Sequence, residues 1–135
     1  MVDSSVLLDI FTQDPTWFSW SAHAISTAAT ATSLVINPLI YAEVSARFLH
    51  VEELEEALPP IIYRREALPW DAAFLAGKAH LAYRRAGGTR RSPLPDFYIG
   101  AHAAVRAYAV LTRDAARYRT YFPSLAVIAP DSPVR

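Results

Sequence analysis

Apolar residues recur along the chain in short bursts whose period changes from one burst to the next, and the changes divide it into elements. Met1 and Val2 are a stub of strand, and Asp3-Ser4-Ser5 follows with helix N-cap chemistry. Val6, Leu7 and Ile10 then form a helical stripe at i, i+1 and i+4. Residues 17–30, WFSWSAHAISTAAT, read as a second helix rich in small residues. SLVIN at 33–37 is an apolar run of strand length, and PLIYAEVSARFL starts directly behind it with Pro38 at a first-turn position. Residues 51–58, VEELEEAL, predict an acidic amphipathic helix closed by Pro59-Pro60, and IIY at 61–63 predicts a short strand. Trp70, Phe74, Gly77 and Leu81 are spaced 4-3-4, an apolar stripe on a helix that Gly87-Gly88 stops. After the loop TRRSPLP, Asp96 opens another helix. YAVLT at 108–112 is a strand, Asp114 starts a helix that runs to Tyr121, and LAVIAP is a last strand.

Short apolar strands alternating with helices over brief loops point to a parallel sheet covered on both faces. The expected fold is a three-layer α/β/α sandwich around a short, mostly parallel five-stranded sheet. A chain of 135 residues, 53% of them hydrophobic, suits one domain spanning 1–135. Only two residues precede Asp3, so the first strand is expected to be very short or to begin upstream. No apolar run approaches the roughly 18 residues of a membrane span, and Asp3 and Asp9 around SSVLL leave no basic, apolar leader. The absence of cysteine excludes disulfide scaffolds, thiol nucleophiles and Cys-ligated zinc. The expectation is a cytoplasmic protein.

The formal net charge is zero but unevenly placed. Residues 1–66 carry nine acids against three bases, and residues 67–135 four acids against ten bases. That permits a local basic surface for a polyanion. The acids matter more once they are set on the expected sheet, because ligands of such folds bind at the carboxyl ends of the strands. Asp3 follows the first strand, Glu43 lies in the second turn of the helix behind SLVIN, Asp96 begins a helix, and Asp114 follows strand YAVLT. All four fall on one rim. Convergent carboxylates either protonate or bind a cation, and oxygen donors suit Mg²⁺ or Mn²⁺. Such an ion activates water and orients phosphate, so phosphodiester hydrolysis is the expected chemistry. The plainer alternatives are that Asp3, Asp96 and Asp114 only cap helices, and that Glu43 only pairs with Arg47 at i+4. The small residues Gly100, Ala103, Ala104 and Ala107 predict a close contact beneath the Asp96 helix.

The blocks VDSSVLLD, INPLIYAEVSARF, LPDFYIGAHAA and VLTRDAARYRTYFPSLAVIAP resemble, in order and spacing and over nearly the whole chain, the four motif blocks of PIN-domain ribonucleases. They look most like the VapC toxins of bacterial toxin–antitoxin pairs. The resemblance implies a five-stranded parallel sheet between helices and a metal-dependent endoribonuclease. It puts the metal-binding and catalytic acids on Asp3, Glu43, Asp96 and Asp114, and an assisting hydroxyl on Ser5 or Thr112. It also implies a homodimer and an antitoxin partner that lays an extended segment in a groove between helices.

The remaining candidates are weaker. Arg84, Arg85, Arg90 and Arg91 frame AGGT and read as a phosphate-contacting loop or as a solvated helix end. Arg113 and Arg117 flank Asp114 as expected RNA contacts. His23, His50, His80 and His102 have no ligand spacing and are expected to be structural or exposed. Trp17, Phe18 and Trp20 cannot all face one core stripe, which predicts an apolar patch for a partner chain or a wide core contact with one exposed ring. A receiver-like phosphatase would want a lysine opposite its aspartates, and the only lysine, Lys78, falls inside a predicted helix. A non-catalytic module whose acids hold a cation or a partner's arginine is the alternative from a different class.

Overall fold

The computed structural model describes residues 1–130. In chain order the elements are α1 (Ser4–Phe11), α2 (Phe18–Ala31), β1 (Leu34–Ile36), α3 (Pro38–Ser45), α4 (Val51–Ala57), β2 (Tyr63–Arg65), α5 (Trp70–Arg85), α6 (Pro95–Arg106), β3 (Val110–Leu111), α7 (Ala116–Tyr121) and β4 (Val127–Ile128). β1 pairs with β2 in parallel, Leu34 opposite Tyr63. β3 pairs with β4 in parallel, Val110 opposite Val127. The fold is therefore mixed α/β with short parallel strands.

The expected five-stranded sheet is not formed. Among the described residues there are four strands in two two-stranded sheets. Residues 1–3 lie between them, with one parallel bridge from Val2 to Leu111. The Val2 N–H donates to the Val35 carbonyl at 2.9 Å, the Leu111 N–H to the Met1 carbonyl at 2.8 Å, and the Asp3 N–H to the Leu111 carbonyl at 2.9 Å. The physical reason is length. Asp3 is still extended (φ −68°, ψ 149°) and the helix starts at Ser4, so no room is left for a ladder.

β1 and β3 are buried along their whole length. Leu34, Val35, Ile36, Val110 and Leu111 are each at most 3% exposed, and a parallel strand covered on both faces needs continuous apolar side chains. Their main cluster takes in Val6 and Leu7 of α1, Ile40 and Val44 of α3, and Ile99 of α6. Asn37 starts α3 as an N-cap, its Oδ1 accepting from the Ile40 N–H at 3.0 Å with Pro38 behind it.

A second cluster joins Ala72, Ala76 and Ala79 of α5 to Phe97, Ala101 and Phe122. Here the expected stripe is overturned. Trp70 is 91% exposed, Phe74 69% and Leu81 42%, so α5 is helical as predicted but packs through the opposite, alanine face. Small residues let two backbones approach, and α5 lies against α6 where a tryptophan would not fit. In α6 the residues Gly100, Ala101 and Ala103 are buried, whereas Ala104 and Ala107 face outward. A Cβ on Gly100 would meet the Phe122 ring at 2.6 Å and the Tyr118 ring at 3.1 Å. Ala107 ends α6 in the left-handed region with φ 58°.

A polar chain ties the carboxyl ends of β1 and β2 to α6. Because Asn37 Oδ1 accepts from Ile40, its Nδ2 is the donor to His102 Nδ1 at 3.1 Å. His102 Nε2 then donates to Glu66 Oε1 at 3.0 Å. Burial lowers the His102 pKa and the Glu66 carboxylate opposes the shift. Glu66 also accepts from the Tyr108 hydroxyl and pairs with Arg64 at 3.1 Å. His102 is therefore structural, as expected of the histidines.

Candidate active site

An open cleft of about 330 Å³ lies at the carboxyl ends of the central segments, lined by Asp3, Ser4, Ser5, Asp9, Arg47, Asp96, Arg113 and Asp114 among others. It is not the roomiest cavity. One of about 480 Å³ lies between α6 and residues 121–126, but no acid or base lines it.

Asp3 is 5% exposed at the N-cap of α1, where it makes no side-chain capping bond. Its Oδ2 accepts instead from Thr112 Oγ1 at 2.8 Å and Ser5 Oγ at 3.0 Å. This is more than a cap. The carboxylate is held by two hydroxyls, one of them behind a strand more than a hundred residues away. Glu43 is half-buried and its Oε1 accepts from Ser4 Oγ at 2.9 Å, so the i+4 pair with Arg47 is not what holds it. Asp96 is half-buried in the first turn of α6 and pairs with Arg117 Nη1 at 3.2 Å. Asp114 is exposed at the rim, its Oδ1 at 3.5 Å from the Ala116 N–H at the start of α7.

The buried acids act on one another. Burial raises the Glu43 pKa, and the charges of Asp3 and Asp96 add to it against the Ser4 hydrogen bond. Burial also raises the Asp96 pKa, with the Asp3 charge adding and Arg117 opposing. Desolvated like charges destabilise the anionic form of each. Oxygen donors in mutual repulsion have the chemistry that suits a hard divalent cation. Among the described residues no three His, Cys, Asp or Glu side chains form a group that could hold a metal ion as they stand.

The basic residues separate into two groups. Arg113 lines the cleft with its Nε engaged. Its Nε donates to both oxygens of Asp9, at 3.2 and 2.9 Å, and its guanidinium lies 5.7 Å from the centre of the Trp17 ring. Arg117 is held by Asp96. Arg90 and Arg91 are exposed in the loop between α5 and α6, outside the cleft lining. There Arg84 Nη1 donates to the Arg90 carbonyl at 3.0 Å, and the Arg90 N–H to the Tyr83 hydroxyl at 3.3 Å. The apolar patch expected of Trp17, Phe18 and Trp20 is largely absorbed. Trp17 stacks on Arg113, Trp20 packs on the core, and Phe18 is 39% exposed.

Four residues of the site were not expected. Ser4 orients Glu43, Arg47 lines the cleft, and Asp9 lies 2% exposed beneath it with Ser21 Oγ at 2.8 Å. Asp9 had a signal: a carboxylate inside the stripe of Val6, Leu7 and Ile10 is expensive without a partner. The fourth is Tyr118, 1% exposed, whose hydroxyl has no hydrogen-bond partner among the described residues.

No family model matches the chain, and no curated protein matches it. Solved structures do. The chain superposes on one from VapBC2 of Rickettsia felis bound to a DNA fragment from the promoter, with a TM-score of 0.70 and 14% identity over 97% of this chain and 98% of that one. VapBC-1 from nontypeable Haemophilus influenzae gives 0.72 and 15% over 96% of both chains. FitAcB from Neisseria gonorrhoeae gives 0.69 and 17% over 94% of both. At such identities the likeness is one of fold. Membership of the PIN-domain ribonucleases, and of their VapC toxins, was expected from four motif blocks and is corrected accordingly. With no family model matched and identities this low, that membership is not established.

Proposed function

We propose that this chain is a divalent-metal-dependent endoribonuclease that hydrolyses RNA phosphodiester bonds, acting in the cytoplasm as the toxic member of a toxin–antitoxin pair. The observation that carries the reading is the gathering of Asp3, Asp96 and Asp114 on one cleft with Glu43 tied to it through Ser4, where the Asp3 charge disfavours the anions of Glu43 and Asp96. In this reading Asp3, Glu43, Asp96 and Asp114 would have to draw closer together than they lie here to hold Mg²⁺ or Mn²⁺, which would supply Lewis acidity and an activated water. Ser5 and Thr112 fix the Asp3 carboxylate, and Ser4 fixes Glu43. Arg117 and Arg47 place positive charge at the cleft for a substrate phosphate.

The partners follow from the same reading. An antitoxin is supported by the fold, which is that of chains found in VapBC and FitAcB structures. A homodimer is supported by α5. Its exposed Trp70, Phe74 and Leu81 flank Gly77, beside whose Cβ position nothing lies within 4 Å. If two α5 helices paired antiparallel about their midpoints, Phe74 of each copy would cover Gly77 of the other and Trp70 would cover Leu81. Asp71 would then face the basic half of the second helix.

One observation favours a second reading. Asp96 already holds a guanidinium, as it would in a non-catalytic module whose acids bind a cation or a partner's arginine. Cleavage of total cellular RNA by wild type and Asp96→Asn separates the two, run with Mn²⁺, with Mg²⁺ and with chelator, the new ends mapped by sequencing. Discrete ends that need both metal and Asp96 support the nuclease. Absence of cleavage while Mn²⁺ still binds wild type and not the variant hands the site to the binding module.

A further inference from the structure

Between Asp71 and Asp96 the chain carries Lys78, Arg84, Arg85, Arg90 and Arg91 and no acid. Elsewhere in the fold Arg64, Arg65, Arg106, Arg113 and Arg117 each pair with a carboxylate. Arg85, Arg90 and Arg91 are exposed and make no ion pair among the described residues. The helix dipole accounts for Arg84 and Arg85, which sit in the last turn of α5. It does not account for Arg90 and Arg91. They lie past that end and ahead of the N-terminus of α6, where a cation gains nothing.

The loop that carries them is held by α5. His80 Nε2 donates to the Arg91 carbonyl at 3.1 Å, and Arg84 Nη1 to the Arg90 carbonyl at 3.0 Å and the Thr89 carbonyl at 3.4 Å. The Arg90 N–H donates to the Tyr83 hydroxyl at 3.3 Å, and the Gly88 N–H to the Tyr83 carbonyl at 2.9 Å. Gly87 takes φ 98°, and a Cβ on Gly88 would run into the Tyr83 ring, so the course of the chain requires both glycines. Arg84 is thus a support whose guanidinium faces carbonyls, and Arg85, Arg90 and Arg91 are the groups presented. The same support reaches the acid cleft. The Tyr83 ring meets Phe97 edge-on at 5.6 Å, and the His80 ring lies 6.4 Å from it. Phe97 follows Asp96 in the first turn of α6. Arg91 is five residues before Asp96, at most about 18 Å of extended chain.

We propose that Arg85, Arg90 and Arg91 form a phosphate-contacting loop that grips the backbone of an RNA strand beside the acid cleft. A repeated anion suits three neighbouring, unpaired guanidinium groups, because each phosphate neutralised releases counterions. A backbone already fixed loses little entropy on binding. RNA as the polyanion rests on the nuclease reading above, while the contact with phosphate depends on no bound metal.

The test is the binding of fluorescein-labelled oligouridine, followed by fluorescence anisotropy in chelator over a salt series. Each phosphate contact contributes about 0.7 to the slope of log affinity against log salt for a single strand. Arg85→Gln, Arg90→Gln and Arg91→Gln combined should therefore lower the slope by about 2, or about 100-fold in affinity over the decade from about 1 M to about 0.1 M salt. Arg85→Lys, Arg90→Lys and Arg91→Lys combined keep the point charges and should keep the slope. If the glutamine variant melts below wild type, Arg90→Gln and Arg91→Gln singly carry the test, each lowering the slope by about 0.7. Unchanged slope and affinity overturn the proposal, and so does a loss confined to labelled duplex DNA. Wild type that binds RNA through the loop but cuts none with Mn²⁺ or Mg²⁺ refutes the nuclease reading and upholds this inference. Wild type that does not bind RNA refutes this inference.

Discussion

The pair of Asp9 and Arg113 anchors the turn that carries Thr112 and Asp114, and its energy can be worked out in advance. Asp9 is 2% exposed and has three hydrogen bonds: two from Arg113 Nε, at 2.9 and 3.2 Å, and one from Ser21 at 2.8 Å. Arg113→Ala leaves the carboxylate with Ser21 alone. Removing one partner of a fully buried pair costs about 3–5 kcal/mol. The Arg113 side chain is 34% exposed, so water reaches the vacated space and the loss falls to about 2–3 kcal/mol. The lost stack on Trp17 adds about 0.5 kcal/mol. The total, about 3 kcal/mol, corresponds to a fall of roughly 10 °C in melting temperature for a chain of this size. Urea unfolding of wild type, Arg113→Ala, Asp9→Ala and the double variant closes a cycle. The double variant should be no less stable than Arg113→Ala, a coupling of about 2 kcal/mol. Strictly additive single losses, or an Arg113→Ala cost below about 1 kcal/mol, would refute the reasoning and reduce the pair to a surface contact.

Four further outcomes follow from the packing and the charges. Gly100→Ala forces a methyl against the Phe122 and Tyr118 rings and should cost about 1–3 kcal/mol in urea unfolding. Ala107→Gly relieves the left-handed residue that ends α6 and, after the added freedom of the unfolded chain, should gain about 0.5–1 kcal/mol. Glu43 and Asp96 have raised pKa values in the fold, so their contribution is present below the unfolded range and is lost as pH rises through the folded values. Glu43→Gln should therefore raise the metal-free melting temperature more at about pH 7 than at about pH 4; an equal gain at both would contradict the assigned repulsion. Phe74→Glu, at a position 69% exposed, should convert a wild-type dimer to monomer in sedimentation velocity without lowering the melting temperature of the fold.

Asp3 and Asp114 stood out in the sequence because each follows an extended segment, and a strand followed by an acid is a local pattern. Asp3, Asp96 and Asp114 line one cleft, and Glu43 is tied to it through Ser4. What escaped the sequence were the relations between residues on different elements. Nothing local to Arg113 says that its charge is spent on Asp9, since the two are 104 positions apart. Ser4 and Ser5 look alike as capping residues, yet one holds Glu43 and the other Asp3. The α5 stripe misled for a different reason. Periodicity finds the apolar face of a helix, but alanine packs a close helix contact better than tryptophan, so the larger face was left outside. The five-stranded sheet failed at its first strand, where the pattern offered two residues and the fold made of them a single bridge.

That bridge bears on the order in which the molecule is made. Val2 is hydrogen-bonded to Val35 and bridged to Leu111, and Asp3 takes its shortest hydroxyl contact from Thr112, 109 positions later. A ribosome releases this acid 109 residues before its partner. Until residue 112 emerges, the segment at the seam can find its β1 neighbour and nothing on its other side. Contacts of such sequence separation form late in folding as well as in synthesis. The acid cluster thus waits on residues 112–117, and a nascent or truncated copy that stops before Thr112 has Asp3 without the hydroxyl that holds it.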